Sequence, residues 1–206
     1  PSYRHFVNFP PNADLVLTGM GTKEFVTANT AAGMVFDGCA WSNSASVPKG
    51  WKGIGINSYN SSYQYTGGNE ITGLQTGIFA TSAADPTKFI YVSGGNDFSD
   101  NSIAIRFTGG SNHIITNENT FNMTINASHP GLGSKPDGIG IYNGGATRIK
   151  IENNDFNGAS SSYGPQAYGV INENTGPDAT HHKKNNFNTL LYGEQTQRNN
   201  GGMNLW

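Results

Sequence analysis

The chain has 206 residues, of which 35% are hydrophobic and 13% are charged, and its formal net charge is −2. This charge balance, without a basic tract, argues against nucleic-acid binding, and no run of apolar residues is long enough to predict membrane insertion. Asn and Gly are abundant, with 26 and 28 residues, and both are poor helix formers. These numbers exclude a helical bundle and fit a single domain.

Short apolar segments with period-two alternation recur along the chain, and this pattern is typical of β-strands. Glycine pairs and Asn-Gly turns lie between them. The spacing is unequal, which indicates a repeated turn of the chain with loops of variable length. The segments are 53–57, 77–80, 103–107, 138–143, 169–172 and 190–192.

A second recurring unit, Asn-x-Phe, follows an apolar strand at 96–98, 119–121, 154–156 and 185–187. Trp41 occupies the Phe position of an earlier, degenerate copy. Equivalent strands of a coiled chain pair at ~4.8 Å, so identical side chains stack in columns. We expect a buried column of Phe98, Phe121, Phe156 and Phe187 beside a column of Asn96, Asn119, Asn154 and Asn185 at a bend. A β-sandwich is the alternative, because it also contains many short strands.

The Ile-x-Ile and Asn-x-Phe units, mainly over residues 50–200, resemble those of the right-handed parallel β-helix proteins of the pectate lyase type. The richness in Asn, Gly, Ser and Tyr and the single Cys39 look more like a bacteriophage tailspike or tail-fibre domain. The predicted fold is all-β, a right-handed parallel β-helix of about six or more coils. Residues 1–40 are predicted to form a capping segment continuous with the solenoid, 41–198 the β-helix, and 199–206 a C-terminal tail.

This resemblance implies host recognition through bacterial surface polysaccharide, by a homotrimer in a virion tail or at a cell surface, without a metal or cofactor. Three functions stay open at this point. The chain binds a polysaccharide, or cleaves one as a glycoside hydrolase or lyase, or serves as an adhesive shaft without a ligand. No pectate lyase signature is present, so no catalytic residue is carried over from the family.

Candidate binding residues follow from equal offsets along the repeated strands. Taking Ile103, Ile139 and Val170 as equivalent anchors, the third residue after each points outward on successive coils. An arginine, an aromatic ring and a carboxylate in a row suit a glycan, because they supply donors, an apolar platform and acceptors. These residues are Arg106, Tyr142 and Glu173, and two long loops add His129, Lys135 and Tyr163.

Candidate catalytic residues are carboxylates on neighbouring coils, because glycoside hydrolases use two carboxyl groups at a defined separation. The pool consists of Asp137, Glu152, Asp155 and Glu173. A lyase would instead need a base and a cation to neutralise a uronate. Lys135, His129 and Arg106 are the candidates for those roles.

Two further patterns carry weaker expectations. Residues 57–70 are predicted to form a long loop, and its three tyrosines among Ser, Asn and Gly are typical of adaptable binding surfaces. His181 and His182 are adjacent in a predicted strand. Their side chains should therefore point to opposite faces, which argues against a shared metal site.

Overall fold

The computed structural model describes residues 14–17, 24–43, 53–82, 87–123, 138–161, 164–165 and 167–205. Sheet I consists of β1 (Asp14–Leu17), β4 (Ala40–Asn43), β7 (Glu70–Thr72), β10 (Asp97–Ser99), β13 (Thr120–Met123), β16 (Asp155–Gly158) and β21 (Asn186–Asn188). Sheet II consists of β2 (Glu24–Asn29), β5 (Ile54–Tyr59), β8 (Thr76–Ser82), β11 (Ile103–Gly109), β14 (Ile139–Gly144), β19 (Tyr168–Glu173) and β22 (Tyr192–Gln197). Sheet III consists of β3 (Ala32–Asp37), β6 (Ser62–Thr66), β9 (Ile90–Val92), β12 (Ile114–Thr116), β15 (Lys150–Glu152), β20 (Thr180–Lys183) and β23 (Met203–Leu205). A short antiparallel hairpin, β17 (Ser160–Ser161) and β18 (Gly164–Pro165), is inserted between β16 and β19.

The chain visits sheets I, II and III in turn, and each strand pairs in parallel with its equivalent on the next coil. Three sheets of seven parallel strands therefore enclose one core. This architecture defines a parallel β-helix, and the predicted fold class is confirmed. The first coil, β1–β3, lies within residues 1–40, and β23 lies within residues 199–206. Residues 1–13 and 18–23 of the predicted capping segment lie outside the described residues.

The predicted column of rings is present in the core of sheet I. Phe98 is opposite Phe121, and Phe121 is opposite Phe156, in the strand register. Their ring centroids are 5.0 and 4.6 Å apart, and the planes are nearly parallel. Phe187 continues the stack at 5.1 Å from Phe156. Trp41 is in the same column, as expected, and faces Ile71 of the next coil.

The predicted asparagine column forms an inner amide ladder at the bend between sheets III and I. Nδ2 of each asparagine except the last donates to Oδ1 of the asparagine on the following coil, at distances from 2.7 to 3.1 Å. Each Nδ2 also donates to a backbone carbonyl, so both amide hydrogens are used within the ladder. The ladder therefore satisfies polar groups that the bend would otherwise bury. It comprises Asn69, Asn96, Asn119, Asn154 and Asn185.

Sheet I also carries an outer amide ladder on its solvent-facing side. Asn188 Nδ2 donates to Asn157 Oδ1 at 3.0 Å, and Asn157 Nδ2 donates to Asn122 Oδ1 at 3.1 Å. Asn122 Nδ2 in turn donates to the Ser99 hydroxyl at 3.2 Å. The two ladders lie on opposite faces of the same strands, as period-two alternation requires.

Close approach between sheets I and II involves a glycine on five of the seven strands of sheet II, namely β5, β8, β14, β19 and β22. At Gly140, an added Cβ would lie 2.7 Å from Cδ1 of Phe156 and 2.7 Å from the Gly169 carbonyl oxygen. Both distances are shorter than real Cβ contacts. The glycine therefore creates the space in which the Phe156 ring lies flat against the neighbouring sheet.

The prediction of a loop over residues 57–70 was wrong in part. Residues 62–66 form strand β6, and the side chains of Tyr63 and Tyr65 are buried in the core, while Tyr59 is exposed. The alternation Ser-Tyr-Gln-Tyr-Thr is a strand pattern with both rings on one face. These two tyrosines therefore stabilise the second coil and are not available for binding.

The buried residue His113 precedes strand β12 and lies in the core. The ring of His113 stacks on Phe107, with centroids 4.3 Å apart, and Nδ1 accepts a hydrogen bond from the Ile90 amide at 3.1 Å. Burial lowers the pKa of His113 to about 4, because the low-dielectric core disfavours the charged ring. The histidine is therefore neutral at physiological pH.

Candidate functional site

The outer face of sheet II carries a row of side chains around Arg106, here called the arginine row. In the strand register Arg106 lies between Phe79 on the preceding coil and Tyr142 on the next. Its guanidinium carbon is 5.1 Å from the Phe79 ring centroid and 5.7 Å from the Tyr142 centroid. Both distances are within the range of cation–π attraction, so two rings on flanking strands hold the guanidinium in place.

Glu173 joins the arginine row from a different position than predicted. The register pairs Ile139 with Tyr168 and Ile141 with Val170, so the anchors chosen from the sequence were offset by two residues. Tyr142 is consequently opposite Ile171, and Glu173 is opposite Gly144. An offset of two residues preserves the face of the strand, which is why Glu173 still points to the outer side.

A hydrogen bond and an ion pair connect Glu173 to its neighbours. The Tyr142 hydroxyl donates to Oε2 of Glu173. Oε1 of Glu173 lies 3.2 Å from Nη1 of Arg198, which follows β22 on the last coil. The structure therefore brings the predicted residues Arg106, Tyr142 and Glu173 together and adds Phe79 and Arg198 at the two ends.

Burial separates this row into an accessible part and a covered part. Tyr142 is only 7% exposed and belongs to a second apolar cluster, outside the main core, with Ile103, Ile139 and Ile171. Its ring is therefore not an open platform for a sugar. Arg106 and Phe79 are partly exposed, so the surface that a ligand reaches lies on the N-terminal side of Tyr142.

Phe79 is the residue that sequence reasoning missed. It lies between Ile78 and Ala80 in an apolar run, and such a run does not show which residues point outward. Its position one residue after Ile78 is the signal that would have found it. Ile78 is opposite Ile105, so the residues that follow them, Phe79 and Arg106, are also opposite each other.

The predicted carboxylates that the structure describes do not converge on one face. Glu152 is on sheet III and pairs with Lys150 at 2.9 Å, while Asp155 is on sheet I and accepts a hydrogen bond from Asn186 at 2.7 Å. Glu173 is on sheet II. Asp137, His129, Lys135 and Tyr163 lie outside the described residues, so their roles stay predictions.

His181 and His182 diverge as predicted, with His181 exposed and His182 buried. Within the described ranges, no three His, Cys, Asp or Glu side chains are grouped closely enough to hold a metal ion. The same part of the chain contains no helix long and apolar enough to cross a membrane. Comparison with protein-family models, curated proteins and solved structures gives no match for this chain.

Proposed function

We propose that this β-helix is a carbohydrate-recognition module that binds bacterial surface polysaccharide along the outer face of sheet II. The observation that carries the proposal is the position of Arg106, held between Phe79 and Tyr142 and partly exposed. A guanidinium group donates up to five hydrogen bonds in a planar fork and pairs with uronate or sulfate groups. An adjacent ring packs against the apolar face of a sugar.

The geometry of the strands fits a polymer ligand better than a small one. Equivalent residues repeat every ~4.8 Å along the solenoid axis, which is similar to the length of one sugar ring. Phe79 and Arg106 occupy neighbouring coils, and exposed Thr108 lies on the same strand and face as Arg106. A glycan lying parallel to the axis would therefore contact Phe79 and Arg106 on successive coils.

Binding is favoured over cleavage in this proposal. The described members of the carboxylate pool, Glu152, Asp155 and Glu173, are on three different sheets, whereas a hydrolase needs two carboxyl groups flanking one bond. In addition, the Glu173 carboxylate is engaged by Tyr142 and Arg198. Assembly as a homotrimer and a place in a phage tail used for host attachment are part of the proposal, and they rest on the resemblance of the repeats.

The test is binding to immobilised acidic and neutral polysaccharides, with polygalacturonate and dextran as probes. Arg106→Gln should weaken binding to the acidic polymer about tenfold or more, because it removes the charge and the fork of donors. The matched control is Arg148→Gln, which removes the same charge from an exposed side chain outside the arginine row. If both variants lose binding equally, the polymer is attracted by the overall charge of the protein and not by a specific site at Arg106. Release of reducing ends by the wild type would favour a depolymerase instead.

A further inference from the structure

The C-terminal end of the solenoid contains a cavity of about 380 Å³, here called the end cavity. Its size is in the range of small-molecule sites. It lies on a different part of the molecule from the arginine row, among strands of the last two coils. The lining residues are His182, Lys183, Asn185, Phe187, Glu194 and Leu205.

The inner amide ladder and the column of rings both end at this cavity. Each leaves its last residue without a neighbour on one side. Asn185 is the last residue of the inner amide ladder, and within the described chain its Nδ2 donates only to the Ile151 carbonyl, at 2.9 Å. The other ladder asparagines donate a second hydrogen to the next coil. Phe187 is the last ring of its stack, and Phe156 covers one face only. The end cavity thus presents one free amide hydrogen and one free aromatic face.

Polar side chains replace core aliphatics next to this opening. His182 is opposite Ile151, and Glu194 is opposite Val170, in the inward columns of sheets III and II. His182 Nδ1 and Glu194 Oε1 are 2.8 Å apart, and since a carboxylate only accepts, the ring nitrogen donates. His182 Nε2 and Glu194 Oε2 are buried and have no hydrogen-bond partner in the described part of the protein.

We infer that the end cavity binds a single saccharide unit, such as the end of a glycan chain. The free face of Phe187 packs against the apolar face of the sugar ring, and Asn185 Nδ2 donates to a ring hydroxyl. The Glu194 carboxylate accepts from a second hydroxyl, and His182 holds that carboxylate in place. His182 Nε2 and Glu194 Oε2 are buried, so a hydroxyl reaches them only when these side chains shift. A bond formed in this way adds to the binding free energy, because a buried polar atom without a partner is unfavourable.

The chemistry of the lining favours a sugar over another coil of β-helix. A further coil, from a second copy of the chain, would pair with the edges of β21 and β22 that have no partner among the described strands, and it would need apolar residues at the inward positions. The end cavity has the buried His182–Glu194 pair at these positions instead. One ring face beside an amide and a carboxylate matches a polyhydroxylated ring with an apolar side.

This inference rests on the saccharide class of the proposed function but not on the arginine row. The experiment is saturation-transfer NMR with glucose, galactose and N-acetylglucosamine as probes at millimolar concentration. Asn185→Asp keeps the oxygen that accepts from the Asn154 amide. It removes both hydrogens of Nδ2, the free one and the one that is bonded to the Ile151 carbonyl. Glu194→Gln removes the charge and keeps the shape. The matched control is Asn188→Asp, which makes the same change on the outer side of β21.

At least one sugar should bind the wild type, with affinity reduced about tenfold or more by Asn185→Asp and by Glu194→Gln. Asn188→Asp and Arg106→Gln should leave this affinity unchanged, so failure here is distinguishable from failure of the proposed polysaccharide site. Absence of binding by all three sugars would overturn the inference, as would wild-type affinity in both cavity variants. Concentration-dependent self-association in sedimentation, lost in the cavity variants, would overturn it in favour of a second copy covering the end.

Discussion

The rings of Phe121 and Phe156 lie parallel, with centroids 4.6 Å apart and an angle of 5° between their planes. This spacing equals the distance between hydrogen-bonded strands, so the stack is a direct consequence of the parallel register. Each ring contacts the coils on both sides, and the loss of one ring therefore affects three coils.

Phe121→Ala should lower the free energy of unfolding by ~3–5 kcal/mol, because it leaves a cavity in the middle of the ring column. Urea denaturation followed by fluorescence measures this change. The neighbouring Thr120 points outward on the same strand, and Thr120→Ala should change stability by no more than ~0.5 kcal/mol. Similar values for both variants would contradict the assignment of Phe121 to the core.

The buried His113 makes stability depend on pH. Its pKa is about 4 in the folded state, compared with an ordinary value of 6.5, so between these two values the unfolded chain binds more protons. The contribution of His113 is therefore complete above pH 6.5 and is lost as the pH falls towards 4, by about 3 kcal/mol in total.

This pH dependence is measured as the difference in unfolding free energy between pH 7 and pH 4.5. His113→Gln should reduce the difference, because no imidazole remains to be protonated. His181→Gln is the control, since His181 is exposed on β20. If the pH dependence of the His113 variant equals that of the wild type, another group is responsible.

Gly140→Ala should destabilise the fold by ~1–3 kcal/mol, because the added methyl group overlaps the Phe156 ring and the Gly169 carbonyl. Gly201→Ala provides the comparison, since its nearest neighbouring atom is 4.0 Å from the added Cβ. Thermal unfolding of both variants is a sufficient measurement. If Gly140→Ala leaves stability unchanged, sheets I and II can move apart around Gly140 without a cost in free energy.

Tyr142→Ala should lower stability by ~2–5 kcal/mol, because Tyr142 is buried in the second apolar cluster. Tyr142→Phe keeps the ring and loses only the hydrogen bond to Glu173, so a cost of ~1–3 kcal/mol is expected. Tyr59→Phe, at a residue that is 51% exposed, is the control. If Tyr142→Ala leaves stability unchanged, the Tyr142 ring is not buried in this cluster and is again a candidate binding residue on the surface.

The ladders could be predicted from the sequence because identical residues recur at identical offsets from a strand. Asn119 and Phe121, two residues apart, reappear as Asn154 and Phe156, and parallel stacking then follows from strand geometry. The face of each outer residue was also predictable, because a register offset of two residues preserves it. For this reason Arg106 and Tyr142 were placed on one face before their neighbours were known.

The contacts between coils could not be predicted in the same way. Local periodicity does not show that Tyr142 is covered on the outer side, since burial there depends on residues far away in sequence. His182 and Glu194 lie on different sheets, and only the path of the last coil brings them to 2.8 Å. Tyr63 and Tyr65 were misinterpreted because composition was given more weight than their alternation.

The two amide ladders of sheet I also have an electrostatic consequence. In the inner ladder each Nδ2 points towards a later coil, as from Asn119 to Asn154, whereas in the outer ladder it points towards an earlier one, as from Asn157 to Asn122. The amide dipoles of the two faces are therefore antiparallel, and their far fields oppose each other. In an α-helix, by contrast, the peptide dipoles add along the axis. A charged molecule that approaches either end of sheet I is thus attracted or repelled mainly by nearby ionic side chains.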